Sequence, residues 1–169
     1  MLCLAALPAC EALPPAGLEL EDGWRYRWGV SPRDSRERPV FALKKSDSSD
    51  WKVYRPGLGV PRDEGRIPIF WLRVTLPDAE FGRPAIFFSQ VADLLEAYVD
   101  GEQIFQFGQL VAGGSTAGDE LALNPDLPVV DLPLDFAGKE LALKVYGGHP
   151  HELGILEGVY IGERDQLIM

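Results

Sequence analysis

The chain has 169 residues, of which 46% are hydrophobic and 25% charged, and this composition is ordinary for a globular domain with a buried core. Acidic side chains outnumber basic ones by 26 to 16, so a formal net charge of −10 repels the phosphates of nucleic acids and anionic lipid headgroups. These values argue against a nucleic-acid partner. No run of 18 apolar residues occurs, so the sequence predicts no membrane-spanning helix.

Residues 1–17 differ in composition from the rest of the chain. Met1–Ala9 is a short apolar run that lacks the basic start of a complete export signal, and Leu7-Pro8-Ala9-Cys10 is faintly similar to a bacterial lipoprotein box. We expect residues 1–17 to be a signal-peptide remnant and linker, with two alternatives: a lipid anchor at Cys10, or a start codon placed too late. Either alternative implies the periplasm or the outer face of a bacterial membrane.

Residues 18–169 are predicted to form the folded domain. Both cysteines, Cys3 and Cys10, precede it, so neither a disulfide framework nor a cysteine metal site is expected in it. Its first predicted strand is 24–28, where large aromatic side chains alternate with basic ones, the period-2 pattern of a half-buried strand. The aromatic side chains share one face, so we expect Trp24 to lie in the core. A second, short strand is predicted at residues 39–43.

The clearest strand pattern covers residues 66–76, and a shorter apolar run predicts another strand at residues 85–89. Because successive side chains of a strand point to opposite faces, the longer strand has two distinct rows. One row comprises Phe70, Leu72, Val74 and Leu76, and the other comprises Trp71, Arg73 and Thr75. We expect the aliphatic row to face the core.

A hairpin is predicted from two runs, 94–99 and 102–107, that flank Asp100-Gly101. A type I′ turn needs positive φ at both central residues, and Asp-Gly tolerates that conformation. Later strands are predicted at residues 129–134, an edge strand bounded by prolines, and at two further runs. Those two runs are residues 139–146 and 158–162. Eight or nine short strands with almost no helical pattern predict an all-β sandwich or barrel.

Four segments of the chain, taken in order, resemble one family. They are Leu20–Tyr26, Asp50–Val53 followed by a proline, Phe70–Pro77, and Glu96–Glu102 with Gly108 downstream. This order resembles the galactose-binding-like jelly roll at the extracytoplasmic end of bacterial membrane sensors with seven-helix membrane regions. It is also similar to the sugar-binding jelly roll at the N-terminus of family 2 glycoside hydrolases. The resemblance covers roughly residues 18–165 and implies a β-sandwich of the galactose-binding jelly-roll type.

The residues that this strand pattern offers to a ligand are Trp71, Arg73, Tyr98 and Tyr146. Aromatic rings stack on the apolar faces of sugars, and arginine presents a planar fork of donors to hydroxyls or carboxylates. Trp71 and Arg73 share the face opposite the aliphatic row, so they are expected to line one site, with the two tyrosines as neighbours. The alternative is that a loop covers this face and Arg73 pairs with a carboxylate.

Other candidate chemistry is weaker. His149 and His151 with Glu152 are compatible with a zinc site, but the sequence offers no further protein ligand, so no metal is predicted. The Gly113–Gly118 loop misses both the phosphate-binding and the nucleophile-elbow spacings. Pairs of nearby carboxylates, such as Asp93 with Glu96 or Asp119 with Glu120, are explained by a charged surface. We therefore expect neither an enzyme nor a cofactor.

The leading functional hypothesis is an extracytoplasmic sensory or ligand-recognition domain of a bacterial membrane signalling protein, with a carbohydrate or other small polar molecule as ligand. In this hypothesis the membrane is reached only through flanking segments or a lipid anchor at Cys10. One alternative is a carbohydrate-binding accessory domain of a glycoside hydrolase. Another is a structural protein-interaction domain that binds no small molecule. The sequence leaves ligand identity, signalling output and oligomeric state open.

Overall fold

Two antiparallel β-sheets face each other in the computed structural model, which describes residues 17–44, 49–57, 69–89, 94–107, 129–146 and 158–168. The two sheets share one core, as in a sandwich. The strands of the described ranges are β1 (Leu18–Glu19), β2 (Arg25–Trp28), β3 (Lys52–Val53), β4 (Ile69–Thr75), β5 (Pro84–Phe88), β6 (Leu94–Val99), β7 (Glu102–Phe107), β8 (Val129–Asp131), β9 (Glu140–Tyr146) and β10 (Val159–Glu163).

The strand order is that of a jelly-roll β-sandwich. The smaller sheet has the order β1-β10-β5-β8, and the larger has the order β3-β2-β4-β9-β6-β7. Successive strands repeatedly change sheet: β4 belongs to the larger sheet, β5 to the smaller one and β6 again to the larger one. The predicted all-β fold class is therefore confirmed. None of the helices in the described ranges is long and apolar enough to cross a membrane.

The core is built by the alternation seen in the sequence. On β4, Phe70, Leu72 and Val74 point into the sandwich and are at most 3% exposed. They lie opposite the aliphatic row of β9 in the register Phe70↔Val145, Leu72↔Leu143 and Val74↔Leu141. The smaller sheet contributes Ile86, Phe88, Val130, Val159 and Ile161 to the same cluster. Each such side chain contributes roughly 1.5–3 kcal/mol through burial.

The strand predicted at residues 39–43 is wrong. Val40–Ala42 forms a single 3₁₀ turn, held by the bonds from Ala42 N to Pro39 O at 3.0 Å and from Leu43 N to Val40 O at 3.1 Å. Proline lacks an N–H and cannot donate to a ladder, while Phe41 and Ala42 gain burial by packing on a sheet face. The apolar side chains of residues 39–43 are therefore explained by their burial, and they do not indicate a strand.

Smaller differences concern the lengths of elements. The two-residue strands β1 and β3 are too short to show a period. The strand predicted at 129–134 ends at Asp131, and the one predicted at 158–162 runs from Val159 to Glu163. The predicted strand at 66–76 is described from Ile69 onward. Candidate residues at 113–118, 119–120 and 149–152, with Asp93, lie outside the described residues.

The chain turns back over the smaller sheet after β10. The short helix α1 (Arg164–Leu167) buries Leu167 there, close to Gly17. The carboxylate of Glu163 accepts the backbone N–H groups of Gly82 and Arg83 at 2.9 and 2.8 Å. Arg164 pairs with Asp131 at 2.6 Å. These contacts fix the direction in which the chain leaves β10.

The predicted hairpin is confirmed. Val99 lies opposite Glu102, so the connection has two residues, and Asp100 and Gly101 have φ values of 47° and 88°. These values match the type I′ requirement. Gly101 also lies against the side chain of Leu43, so a Cβ at position 101 would collide with it.

Replacing Gly101 by alanine is expected to lower the free energy of unfolding by about 1–3 kcal/mol, because a side chain at positive φ is strained and Leu43 must move. The matched control is Gly138→Ala, which has a φ of 68° but nothing within 4 Å of an added Cβ. Urea unfolding of both variants separates the collision from the backbone strain. Equal losses in the two variants would show that Leu43 does not restrict the turn.

Candidate functional site

The larger sheet has a second hydrophobic cluster on the face that points away from the core. We call this the outer cluster; it comprises Phe41, Ala42, Trp51, Trp71, Tyr98 and Ala142. Trp71 and Ala142 come from the central strands β4 and β9, and Tyr98 comes from β6. The remaining members come from two connecting segments. Both faces of β4 therefore carry buried hydrophobic side chains, because Trp71 on the outer face is buried as well.

Residues 30–44, here named the cover loop, lie over the outer cluster. The ring of Phe41 makes edge contacts with both Trp51 and Trp71, each with a centroid separation of 6.0 Å. Trp71 is 1% exposed beneath it and Tyr98 is 5% exposed. The cover loop therefore closes this part of the sheet face to solvent.

The structure brings three of the four predicted ligand residues together. The rings of Trp71 and Tyr98 are 5.7 Å apart, and Arg73 follows Trp71 on the same face of β4. Tyr146 shares that face but lies at the other end of β9, opposite Ile69, and is half-buried. Trp71, Arg73 and Tyr98 are buried, so a ligand reaches them only when the cover loop moves. Their ligand role stays a prediction.

Arg73 is paired with Glu140 inside this layer. Nε of Arg73 and Oε1 of Glu140 are 3.3 Å apart, with side-chain exposures of 8% and 10%. The guanidinium also lies over the ring of Trp51, with Cζ 4.2 Å from the centroid. Burial lowers the pKa of Arg73 and the nearby Glu140 opposes that effect. Burial raises the pKa of Glu140, against the attraction of Arg73 and a hydrogen bond from Thr75.

Two further arginines lie beside Arg73. Arg25 of β2 is in register with Arg73, and Arg27 is in register with Trp71. Repulsion from Arg25 and Arg27 lowers the pKa of Arg73 in addition to the effect of burial. Arg27 pairs with the carboxylate of Asp50 at 3.1 Å, and its Cζ lies 4.3 Å from the centroid of the Phe41 ring. A chain with a net charge of −10 thus gathers three guanidinium groups on one patch.

Two polar atoms of the outer cluster lack a partner in the described part of the chain. They are the indole nitrogens of Trp51 and Trp71, both buried. A buried donor without an acceptor costs about 1–3 kcal/mol. Such donors are rare in folded proteins, and each one invites a functional explanation.

A polar network borders the cluster on β6 and β9. Lys144 Nζ lies 2.6 Å from Glu96 Oε1, and each side chain is about a quarter exposed. The hydroxyl of Tyr98 donates to the other oxygen of Glu96. Burial raises the pKa of Tyr98, and this hydrogen bond and the charge of Glu96 raise it further. Tyr98 therefore stays a neutral donor at ordinary pH.

An open cleft of about 550 Å³ lies elsewhere, on the side of the sandwich where β1 and β3 are the edge strands. Its polar lining comes from Glu19, Glu21, Asp22 and Arg55, with Gly57 and Gly158 in its walls. All four polar side chains are exposed. Sequence reasoning missed this cleft, because its residues come from three distant segments and each is an ordinary surface type. The sequence offered one signal for the cleft: two of its segments, 19–22 and 55–57, overlap or closely follow the motifs at 20–26 and 50–53.

No group of three or more histidine, cysteine, aspartate or glutamate side chains that could hold a metal ion occurs within the described ranges. Of the carboxylate pairs considered from sequence, Glu96 is described, and it is paired with Lys144. Neither the cleft nor the outer cluster therefore has the donor set of a metal centre among its described side chains.

No protein-family model matches the chain, and no curated protein sequence matches it. Solved structures do match, at low sequence identity. A β-glucuronidase from Ruminococcus gnavus, in complex with an N1-substituted uronic isofagomine, has a TM-score of 0.57 at 11% identity and covers 92% of this chain. Bacteroides uniformis β-glucuronidase 2, covalently bound to cyclophellitol-6-carboxylate aziridine, has a TM-score of 0.55 at 15% identity over 85% of this chain.

A glycosyl hydrolase family 2 member from Bacteroides cellulosilyticus also matches, with a TM-score of 0.52 at 14% identity over 86% of this chain. This chain spans 31%, 17% and 20% of the lengths of these three proteins, respectively. Similarity at such identities shows the fold alone. It is consistent with the galactose-binding-like jelly roll that the sequence resembles, and it places that fold within larger glycosidase chains.

Proposed function

We propose that this chain is a non-catalytic carbohydrate-recognition domain that belongs to a larger extracytoplasmic bacterial protein, and that its ligand binds in the cleft beside β1 and β3. The cleft itself carries this proposal. Its volume of about 550 Å³ is within the usual range of small-ligand sites. The similarity to parts of larger glycosidase chains supports a carbohydrate-recognition domain within a larger protein.

The cleft side chains suit a hydroxyl-rich ligand. Carboxylates such as Glu21 and Asp22 accept hydrogen bonds from sugar hydroxyls, and Arg55 donates a planar pair of N–H groups. These carboxylates are exposed, and exposure denies them the desolvation that prepares a catalytic acid. The arrangement therefore favours binding over hydrolysis.

Two settings fit such a domain. A glycoside hydrolase in which it serves as an accessory domain is supported by the solved structures that share its fold. A membrane sensor is supported by the motif order at residues 20–26, 50–53, 70–77 and 96–102. Reading the gene on both sides of the frame separates the two, because a sensor continues into seven apolar segments and a hydrolase into a catalytic barrel. In both cases the export-like composition of residues 1–17 supports a location in the periplasm or on the outer face of a bacterial membrane.

Calorimetric titration with neutral mono- and oligosaccharides tests the cleft. For a saccharide that binds, Arg55→Ala and Glu21→Gln are each expected to weaken the affinity about tenfold, because each removes a charge-assisted hydrogen bond. Arg36→Ala is the matched control, since Arg36 is an exposed arginine of the cover loop. The proposal fails if no saccharide binds, or if Arg55→Ala binds as tightly as the unmodified protein.

A further inference from the structure

We propose a second, covered ligand site for an anionic sugar, such as a hexuronic acid, between the outer cluster and the three arginines, which becomes accessible when the cover loop moves. The site uses no residue of the cleft. Its test is therefore independent of the proposed function in the cleft.

The charge of the patch selects an anion. Arg25 and Arg27 lie close enough to repel Arg73, yet the sheet holds the three on adjacent strands in fixed register. Arg27 pairs with the carboxylate of Asp50, and Arg73 pairs with that of Glu140. A ligand carboxylate beside Arg25 relieves this repulsion and is held by the guanidinium forks.

The ring planes and donors of the outer cluster select a sugar over a simple carboxylate. Trp51 and Trp71 both contact Phe41 of the cover loop, so movement of that loop would free ring surface for the apolar side of a pyranose. Their buried indole N–H groups have no acceptor in the described part of the chain, and sugar hydroxyls are acceptors of suitable size. Binding would therefore satisfy donors that otherwise lower the stability of the fold.

The cover loop combines hydrogen bonds within itself with contacts to the sheet. Its backbone hydrogen bonds include two that close on the loop itself, from Asp34 N to Arg38 O at 2.9 Å and from Val40 N to Pro32 O at 2.8 Å. Phe41 packs it onto the sheet, and two polar contacts add to this, from Arg38 to Glu102 at 3.7 Å and from Lys44 Nζ to the carbonyl of Gly138 at 2.6 Å. Gly29, just before the loop, has a φ of 106° and nothing within 4 Å of an added Cβ, and its N–H donates to the carbonyl of Ile69 at 2.9 Å. Opening of the loop would therefore use backbone rotation on the loop side of this hydrogen bond.

The test measures binding of glucuronate, with glucose as the neutral match, by calorimetry and by tryptophan fluorescence. Phe41→Ala removes the ring contacts that hold the cover loop on Trp51 and Trp71. It should strengthen glucuronate binding about tenfold, because the open state of the loop, which binds the ligand, becomes more populated. Phe41→Leu is measured beside it, since it keeps an apolar side chain while losing both ring contacts. Both variants must retain the far-UV circular dichroism of the unmodified protein. Arg25→Ala should weaken glucuronate binding about tenfold, because an exposed charge partner is lost.

Matched controls decide between this site and its competitors. Arg36→Ala removes the same charge from the surface of the cover loop, and Arg55→Ala removes it from the cleft. The proposal stands if both controls bind glucuronate as the unmodified protein does and glucose is bound at least tenfold more weakly than glucuronate. It is overturned if Phe41→Ala and Phe41→Leu gain nothing, if Arg25→Ala and Arg36→Ala lose equally, or if Arg55→Ala alone abolishes binding.

Discussion

Replacing Trp24 by alanine is expected to lower the free energy of unfolding by about 3–5 kcal/mol. The side chain is 1% exposed and belongs to the cluster shared by the two sheets. Its Nε1 donates to the carbonyl of Leu20 at 2.7 Å. Truncation therefore removes a large apolar surface, leaves a cavity and leaves a buried acceptor without its partner. Urea unfolding followed by circular dichroism gives the loss directly.

Two matched variants divide this loss into its parts. Trp24→Phe keeps much of the apolar volume but removes the donor, so it should cost about 1–3 kcal/mol. Trp28→Ala removes the same type of side chain at the end of β2, four residues after Trp24, at a position that is half-buried against Phe70. It should cost clearly less than Trp24→Ala. A loss below 1 kcal/mol in Trp24→Ala would contradict the core position of this side chain.

Arg73→Ala is expected to cost about 3–5 kcal/mol at neutral pH, because it leaves the buried carboxylate of Glu140 without its partner. The same change removes the cation that lies over Trp51. The control is the double variant Arg73→Met with Glu140→Gln, which removes both charges while keeping most of the volume. It should cost less than Arg73→Ala, since buried ion pairs replaced as pairs lose little stability.

The pH dependence of the Arg73→Ala loss follows from the raised pKa of Glu140. Below the ordinary glutamate value of 4.5, Glu140 is protonated in both states and adds no charge penalty. Above it, the unfolded chain ionises while the folded chain still holds the proton, so stability falls as pH rises through the raised value. Removing Arg73 raises the pKa of Glu140 further. Arg73→Ala should therefore lose more stability at pH 7 than at pH 4, measured by urea unfolding, and a loss independent of pH would show that Glu140 is not the cause.

The sequence predicted the strand β4 well because a two-residue period is a local property. Its inward row, including Leu72, needs only a facing sheet, and the period shows that row directly. The hairpin was predictable for a similar reason, because Asp100 and Gly101 are adjacent and meet the dihedral requirement by themselves.

The outer face of the same strand was harder to interpret, since its surroundings are set by distant segments. Whether Trp71 and Arg73 face solvent depends on the cover loop and on Trp51, neither of which pairs with β4. The alternative in which a loop covers the face and Arg73 meets a carboxylate describes the observed contacts. The choice of Glu140 from 26 acidic residues was not readable from the sequence, because it requires the register of β4 on β9.

The strand order also decides when this fold can be completed during synthesis. The β6–β7 hairpin forms from adjacent residues, whereas β9 lies between β4 and β6 and joins the two parts of the larger sheet. The smaller sheet must wait longer still, because β5 has β8 and β10 as its neighbours. A nascent chain that ends before residue 140 therefore holds the larger sheet in two separate parts, β3-β2-β4 and β6-β7, whose open edges are templates for aggregation. Such non-local pairing folds slowly, so these edges stay open until β9 and β10 have been made.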